Sequence, residues 1–113
     1  MSNFESLKKN SDFQNVFAQK KSCANKYLVM YVSENGLETN RIGIQVSKKV
    51  GNSVVRHRIT RLIRESYRLN QDMFNSGLDI VIVAREAARG KTYNEIESAL
   101  LHLGEKSQSV ISK

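Results

Sequence analysis

The sequence predicts an α+β domain in which helices pack on a mixed β-sheet as a two-layer sandwich, and three observations predict it. Helical and strand-like periodicities succeed one another in the order helix, strands, helix, strand, helix. The run Asp79-Ile80-Val81-Ile82-Val83-Ala84 is almost continuously apolar, which suits a strand buried on both faces. A long helical pattern over 54–70 separates that run from an earlier strand, and this is the length of chain that a crossover between two strands of one sheet requires.

Taken in order, Phe13, Val16 and Phe17 recur at helical spacing after Asn10 and Ser11, either of which can cap, so a short helix is expected to about Lys20. The segment 27–32 is rich in β-branched and aromatic residues, Glu34-Asn35-Gly36 is a turn signal, and 41–47 reads as a second strand. The two strands are expected to form an antiparallel pair. The helix over 54–70 is amphipathic: at about 100° per residue, Arg64, His57, Arg68, Arg61 and Arg58 fall between roughly 80° and 200°, opposite Leu62, Val55, Ser66, Ile59, Ile63 and Tyr67. Arg56 falls inside the apolar arc, so either the helix is not yet regular there or its stem snorkels outward. Glu65 stands four residues after Arg61, a spacing that allows an ion pair. A last helix is announced by the capping-box pair Thr92 and Glu95, runs through Ile96, Ala99, Leu100 and Leu103, and is expected to stop at Gly104. The 113 residues, with no proline, no repeat and no linker, read as a single domain spanning 1–113, ordered over about 5–104, with 105–113 a flexible tail.

The charge is concentrated. Between Arg41 and Arg68 lie eight cations and one anion, so this window carries the whole net charge of +7. Five of those cations are helical arginines, whose forked donors match phosphate oxygens and stay charged at any physiological pH. A solvated, salt-bridged surface helix would need interleaved acids, and only Glu65 is available. Lys48, Lys49 and Asn52 precede the helix in a Gly-Asn turn, where backbone amides and the positive helix end add anion affinity. A polyphosphate partner follows. A membrane-surface helix is rejected, because Leu62, Ile63 and Tyr67 would have to leave the core to insert.

Strand parity raises a second possibility. Ile42, Ile44 and Val46 share one face; Gly43, Gln45 and Ser47 share the other, which is too polar for a core. Tyr27, Val29 and Tyr31 share a parity as well. If they lie on the polar face, the sheet exposes aromatics beside small polar residues, a stacking platform for single-stranded nucleic acid; otherwise Phe13 and Phe17 are ordinary core, the reading that spacing alone favours.

Catalytic machinery is not evident. His57 and His102 have no nucleophile or carboxylate at a catalytic spacing, and His102, between Leu101 and Leu103, reads as an ordinary helix residue. Gly51 stands outside any phosphate-loop pattern. The single Cys23 can form neither an internal disulfide nor a zinc site and is expected to be a free thiol in a reducing compartment. With no apolar leader or span of about 18 residues, a cytoplasmic location is expected.

The stretch Ser47-Lys48-Lys49-Val50-Gly51-Asn52-Ser53-Val54-Val55-Arg56-His57-Arg58-Ile59-Thr60-Arg61-Leu62-Ile63-Arg64-Glu65 resembles the signature of the bacterial ribonuclease P protein subunit. Leu7-Lys8-Lys9 with Asp12-Phe13 and Phe17 is similar to the family's first helix, Arg41-Ile42-Gly43 to its second strand, and Ile80-Val81-Ile82-Val83-Ala84-Arg85 to its apolar strand. The chain departs from the pattern at His57, where the family usually has Asn, and at Thr60, where it commonly has Lys. The resemblance implies an α/β sandwich like the second domain of ribosomal protein S5, with a left-handed βαβ crossover carrying the basic helix, against the usual handedness. It also implies a subunit that joins a catalytic RNA and assists endonucleolytic removal of the 5′ leader from precursor tRNA, with no catalytic residue or metal site of its own and Mg2+ serving the RNA-catalysed reaction. By position, Lys49, Asn52, Arg56, His57, Arg58, Arg61, Arg64 and Arg68 would face the catalytic RNA. Phe13, Phe17, Val29, Tyr31, Gln45 and Lys48 would receive the single-stranded leader, which makes the two phenylalanines binding residues rather than plain core. A DNA-binding or ribosomal RNA-binding module would account for the basic helix but not for these aromatics.

Overall fold

The computed structural model describes residues 4–107. Its strands β1 (Phe4–Ser6), β2 (Ser22–Ala24), β3 (Leu28–Glu34), β4 (Asn40–Gln45) and β5 (Leu78–Ala84) form one mixed sheet in the order β1-β4-β5-β3-β2, with helices α1 (Asn10–Ala18), α2 (Ser53–Asn70) and α3 (Tyr93–Lys106) packed on it. The apolar run becomes the central strand: β5 pairs parallel with β4 and antiparallel with β3. The α2 segment is therefore a crossover between adjacent parallel strands, as its length required.

The alternation of β3, β4 and β5 sends Leu28, Met30, Ile42, Ile80 and Ile82 to one face, where they meet Ile59, Ile63 and Tyr67 of α2 and Ile96, Leu100 and Leu103 of α3, all essentially inaccessible. Each such side chain contributes about 1.5–3 kcal/mol of burial free energy. Among the described residues the opposite face is covered by the nine-residue α1 and by Leu7 beyond β1, with Val16 and Leu7 against Val81 and Phe13, Phe17, Tyr31 and Val83 around them.

Several expectations are corrected. β3 and β4 do not pair with each other, because β5 inserts between them and makes two long ladders on strands that could otherwise have made one. The short strands β1 and β2 cap the two edges of the sheet and were not foreseen, since three residues are too few to show a period. Neither Asn10 nor Ser11 caps α1: both lie inside it, Lys9 occupies the cap position with no side-chain bond, and the helix ends at Ala18, with Lys20 turning into the left-handed region at φ 56°. β4 stops at Gln45, before Val46 and Ser47. Tyr27 precedes β3, because the Asn25 side-chain oxygen accepts from the amides of Tyr27 and Leu28 and bends the chain there, so Tyr27 packs toward the α2 and α3 core. The Thr92–Glu95 capping box forms as read. Gly104, however, does not end α3: it is a buried helical residue and the helix runs on to Lys106, closed by the Ser107 amide on the Leu103 carbonyl at 2.9 Å. The segment expected as a tail is thus helical through Lys106; residues 108–113 lie outside the described residues.

Candidate nucleic-acid interface

Helix α2 starts at Ser53 because the Asn52 side-chain oxygen accepts the Val55 amide at 3.0 Å. Its exposed residues include His57, Arg58 and Arg61, and Lys48 and Lys49 of the preceding turn are exposed as well. Neither Arg58 nor Arg61 is in an ion pair among the described residues. The other candidates on this helix are differently employed. Asn52 spends its oxygen on the cap. Arg56 sits in regular helix, so its position within the apolar arc is met by burial of the stem, and its Nε is buried without a hydrogen-bond partner. Arg64 is half-buried and its Nη1 donates to Ser6 Oγ at 2.9 Å, tying α2 to β1. Glu65 pairs not with Arg61 but with Arg68, through bonds of 2.9 and 2.6 Å, because an acid preceding its base on a helix is the better oriented pair. That contact holds the Glu65 carboxyl below, and the Arg68 guanidinium above, their ordinary values.

The second candidate site lies on the other face of the sheet, and strand register builds its floor in rows. One row is Tyr31–Val81–Gly43 and the next is Val29–Val83–Gln45. Over the first row lies α1: Phe17 meets Tyr31 edge to face, with ring centroids 4.8 Å apart, and Phe13 lies so close above Gly43 that a Cβ there would stand 2.5 Å from the ring. Glycine at position 43 is what lets α1 approach. Phe13, Phe17, Val29 and Tyr31 are all half-buried, and Gln45 is exposed. The aromatics are therefore both packing for Val16 and Val81 and an accessible surface.

The cleft has unlike ends. Beyond Tyr31 the next row pairs Arg41 with Asp79, through bonds of 2.8 and 2.6 Å, and Asp12 of α1 stands 3.8 Å from the same guanidinium. Asn35 Nδ2 also donates to Asp79, so this end is bridged by an ion pair and, with Asp79, Asp12 and Glu5 around the single Arg41, is net negative. Beyond Gln45 the chain passes through Ser47, Lys48 and Lys49 directly into the N-terminus of α2. The open end of the aromatic cleft is thus followed in the chain by Lys48, Lys49 and the start of the basic helix.

Two residues lie beside these surfaces without having been singled out. Arg41 was read as charge and as a strand residue, and nothing in the sequence marked Tyr93; Arg41 is placed by the distant Asp79, and Tyr93 by Glu97 of its own helix, which Asn70 of α2 holds. No helix among the described residues is long and apolar enough to cross a membrane.

A mixed sheet with a basic crossover helix on one face and a half-open aromatic cleft on the other defines a small α/β nucleic-acid-binding domain. A family model for Ribonuclease P matches residues 1–108. The chain is 67% identical over 108 residues to the ribonuclease P protein component of Lachnoclostridium phytofermentans, covering 96% of this chain and 92% of that protein, and 58% identical over 97 residues to that of Alkaliphilus metalliredigens, covering 86% and 87%. Among solved structures it resembles the RNase P protein of Staphylococcus aureus, at TM-score 0.86 and 34% identity over 94% of this chain and 97% of the other. It also resembles that of Thermotoga maritima, at TM-score 0.83 and 29% identity over 96% and 99%. The chain belongs to the ribonuclease P protein component family.

Proposed function

We propose that this chain is the protein subunit that partners a catalytic RNA in ribonuclease P, a tRNA-processing ribonucleoprotein, and that its two surfaces divide the work. Lys49, His57, Arg58 and Arg61 contact phosphates of that RNA, with Arg56, Arg64 and Arg68 adding charge behind them and Asn52 positioning the helix start. Phe13, Phe17, Val29, Tyr31 and Gln45 hold the single-stranded 5′ leader of precursor tRNA, with Lys48 at the exit. The observation that carries this reading is the continuity from Gln45 through Lys48 and Lys49 into α2, which lets one protein touch the leader and the catalytic RNA together. Aromatic stacking tolerates any base sequence, as a leader site must. Phosphate contacts by arginine supply affinity that falls steeply with salt.

Bond breaking is assigned to the RNA and its Mg2+, in the cytoplasm. Two titratable groups at the end of the cleft are held for structure: Asp79 and Asp12 face Arg41. The deciding assay mixes nuclease-treated protein with labelled precursor tRNA, alone and with the cognate RNA in Mg2+. Accurate leader removal is expected only in the mixture. Accurate removal by the RNA-free protein would overturn the assignment.

A further inference from the structure

Beside two of the exposed cations, α2 and α3 form a groove of about 660 Å3 lined by Arg58, Arg61, Leu62, Arg64, Glu65 and Tyr93. Tyr93 belongs to α3, not to the basic helix. Its hydroxyl donates to Glu97 Oε2 of the same helix at 2.9 Å, and that oxygen also accepts from Asn70 Nδ2 of α2 at 2.8 Å, so the far end of the ring is held by a carboxylate that α2 in turn fixes. Burial and the Glu97 carboxylate push the phenol up to about 12, which keeps it neutral. The groove therefore has one cationic wall, a fixed aromatic ring beside Leu62, and the Glu65 carboxylate, which remains an acceptor while paired with Arg68.

These are the complements of the parts of a nucleotide: guanidinium forks for phosphate, an aromatic face for a base, and a carboxylate for the amino hydrogens on a base edge. A base within a duplex has both faces covered by its neighbours and cannot meet Tyr93. We propose that this groove seats one unpaired nucleotide of the partner RNA, with its phosphate on Arg58 and Arg61 and its base against Tyr93. The proposal rests on the assignment of α2 to the RNA-facing surface, and names a base contact where the arginines alone would read only backbone.

The test is chemical probing of the cognate RNA bound to the full-length protein with no tRNA present, so that the cleft plays no part. At least one unpaired base should be protected by the native protein and by Tyr93→Phe, and should become reactive with Tyr93→Ala. RNA affinity should fall about tenfold in Tyr93→Ala, the usual loss for one stacked base, with the salt dependence unchanged, whereas Arg58→Ala should flatten that dependence. Tyr93→Leu fills similar space without an aromatic face and guards against a folding defect; it should bind like Tyr93→Ala. Native affinity and an unaltered footprint in Tyr93→Leu would overturn the proposal and leave Tyr93 a packing residue. Failure of the native protein to bind the RNA at all would instead overturn the functional reading on which it rests.

Discussion

The exposed face of α2 and the cleft under α1 are both read as nucleic-acid surfaces, yet they are built in opposite ways. On α2 the binding residues and the core residues are different side chains on different arcs of one helix: Arg58 and Arg61 face out while Ile59, Ile63 and Tyr67 are buried. In the cleft they are the same side chains, since Phe13, Phe17 and Tyr31 both close the small core around Val16 and Val81 and remain half-exposed. Charge can be added to a folded helix at little structural cost, whereas an aromatic platform has to be held rigid by packing. Substitutions should accordingly separate binding from stability on α2 and fail to separate them in the cleft.

The severest test of that contrast is Gly43→Val. Its side chain would collide with Phe13 and come within 3.2 Å of Leu7, so α1 must shift. The variant should lose about 1–3 kcal/mol of stability in urea unfolding and should also lose preference for precursor over mature tRNA. Normal unfolding and normal discrimination would show that α1 is not seated by this glycine. Phe17→Ala comes next: loss of the edge-to-face contact with Tyr31 should lower stability, and binding of precursor tRNA to the holoenzyme should weaken by about 1–3 kcal/mol, with mature tRNA nearly unaffected. Equal losses for the two tRNAs would return Phe17 to a purely structural role.

On the other face, Arg58→Ala and Arg61→Ala should leave stability within about 0.5 kcal/mol of native, while each flattens the salt dependence of RNA binding by roughly one unit. An unchanged slope in both would remove α2 from the interface. The smallest effect is expected at Glu65→Gln, which frees Arg68 and should steepen the same slope by up to about one unit. Because Arg68 holds the Glu65 carboxyl below its ordinary value of 4.5, the native pair is intact at neutral pH and is lost only as the pH falls below that value. In a His57→Asn background, which removes the helix's imidazole, titration from pH 7 to 5 should therefore not reproduce the Glu65→Gln effect.

The basic helix was legible residue by residue, because a helix repeats within the chain and its arcs can be laid out without knowing any neighbour. The same holds for the Thr92–Glu95 box and the buried 79–84 strand, and the run 47–65 carried the family resemblance. The cleft was legible only as a question of parity, since alternation says which residues share a face but not whether that face is covered. Strand parity also misled at Tyr27, where a turn from Asn25 resets the backbone before the strand begins.

The sequence by itself determined what depends on local period and charge: the elements longer than one turn or a few residues, the net charge on one window, and the amphipathicity of α2. Only the tertiary structure decided what depends on contacts between distant segments. It placed β5 between β3 and β4, aligned Tyr31, Val81 and Gly43 in one row beneath two phenylalanines, bridged one end of the cleft with Arg41 and Asp79, and joined Glu97, the partner of Tyr93, to Asn70 of α2. Those features arise from ladders and packing between residues tens of positions apart, and no period within the chain encodes which distant partner a residue will meet.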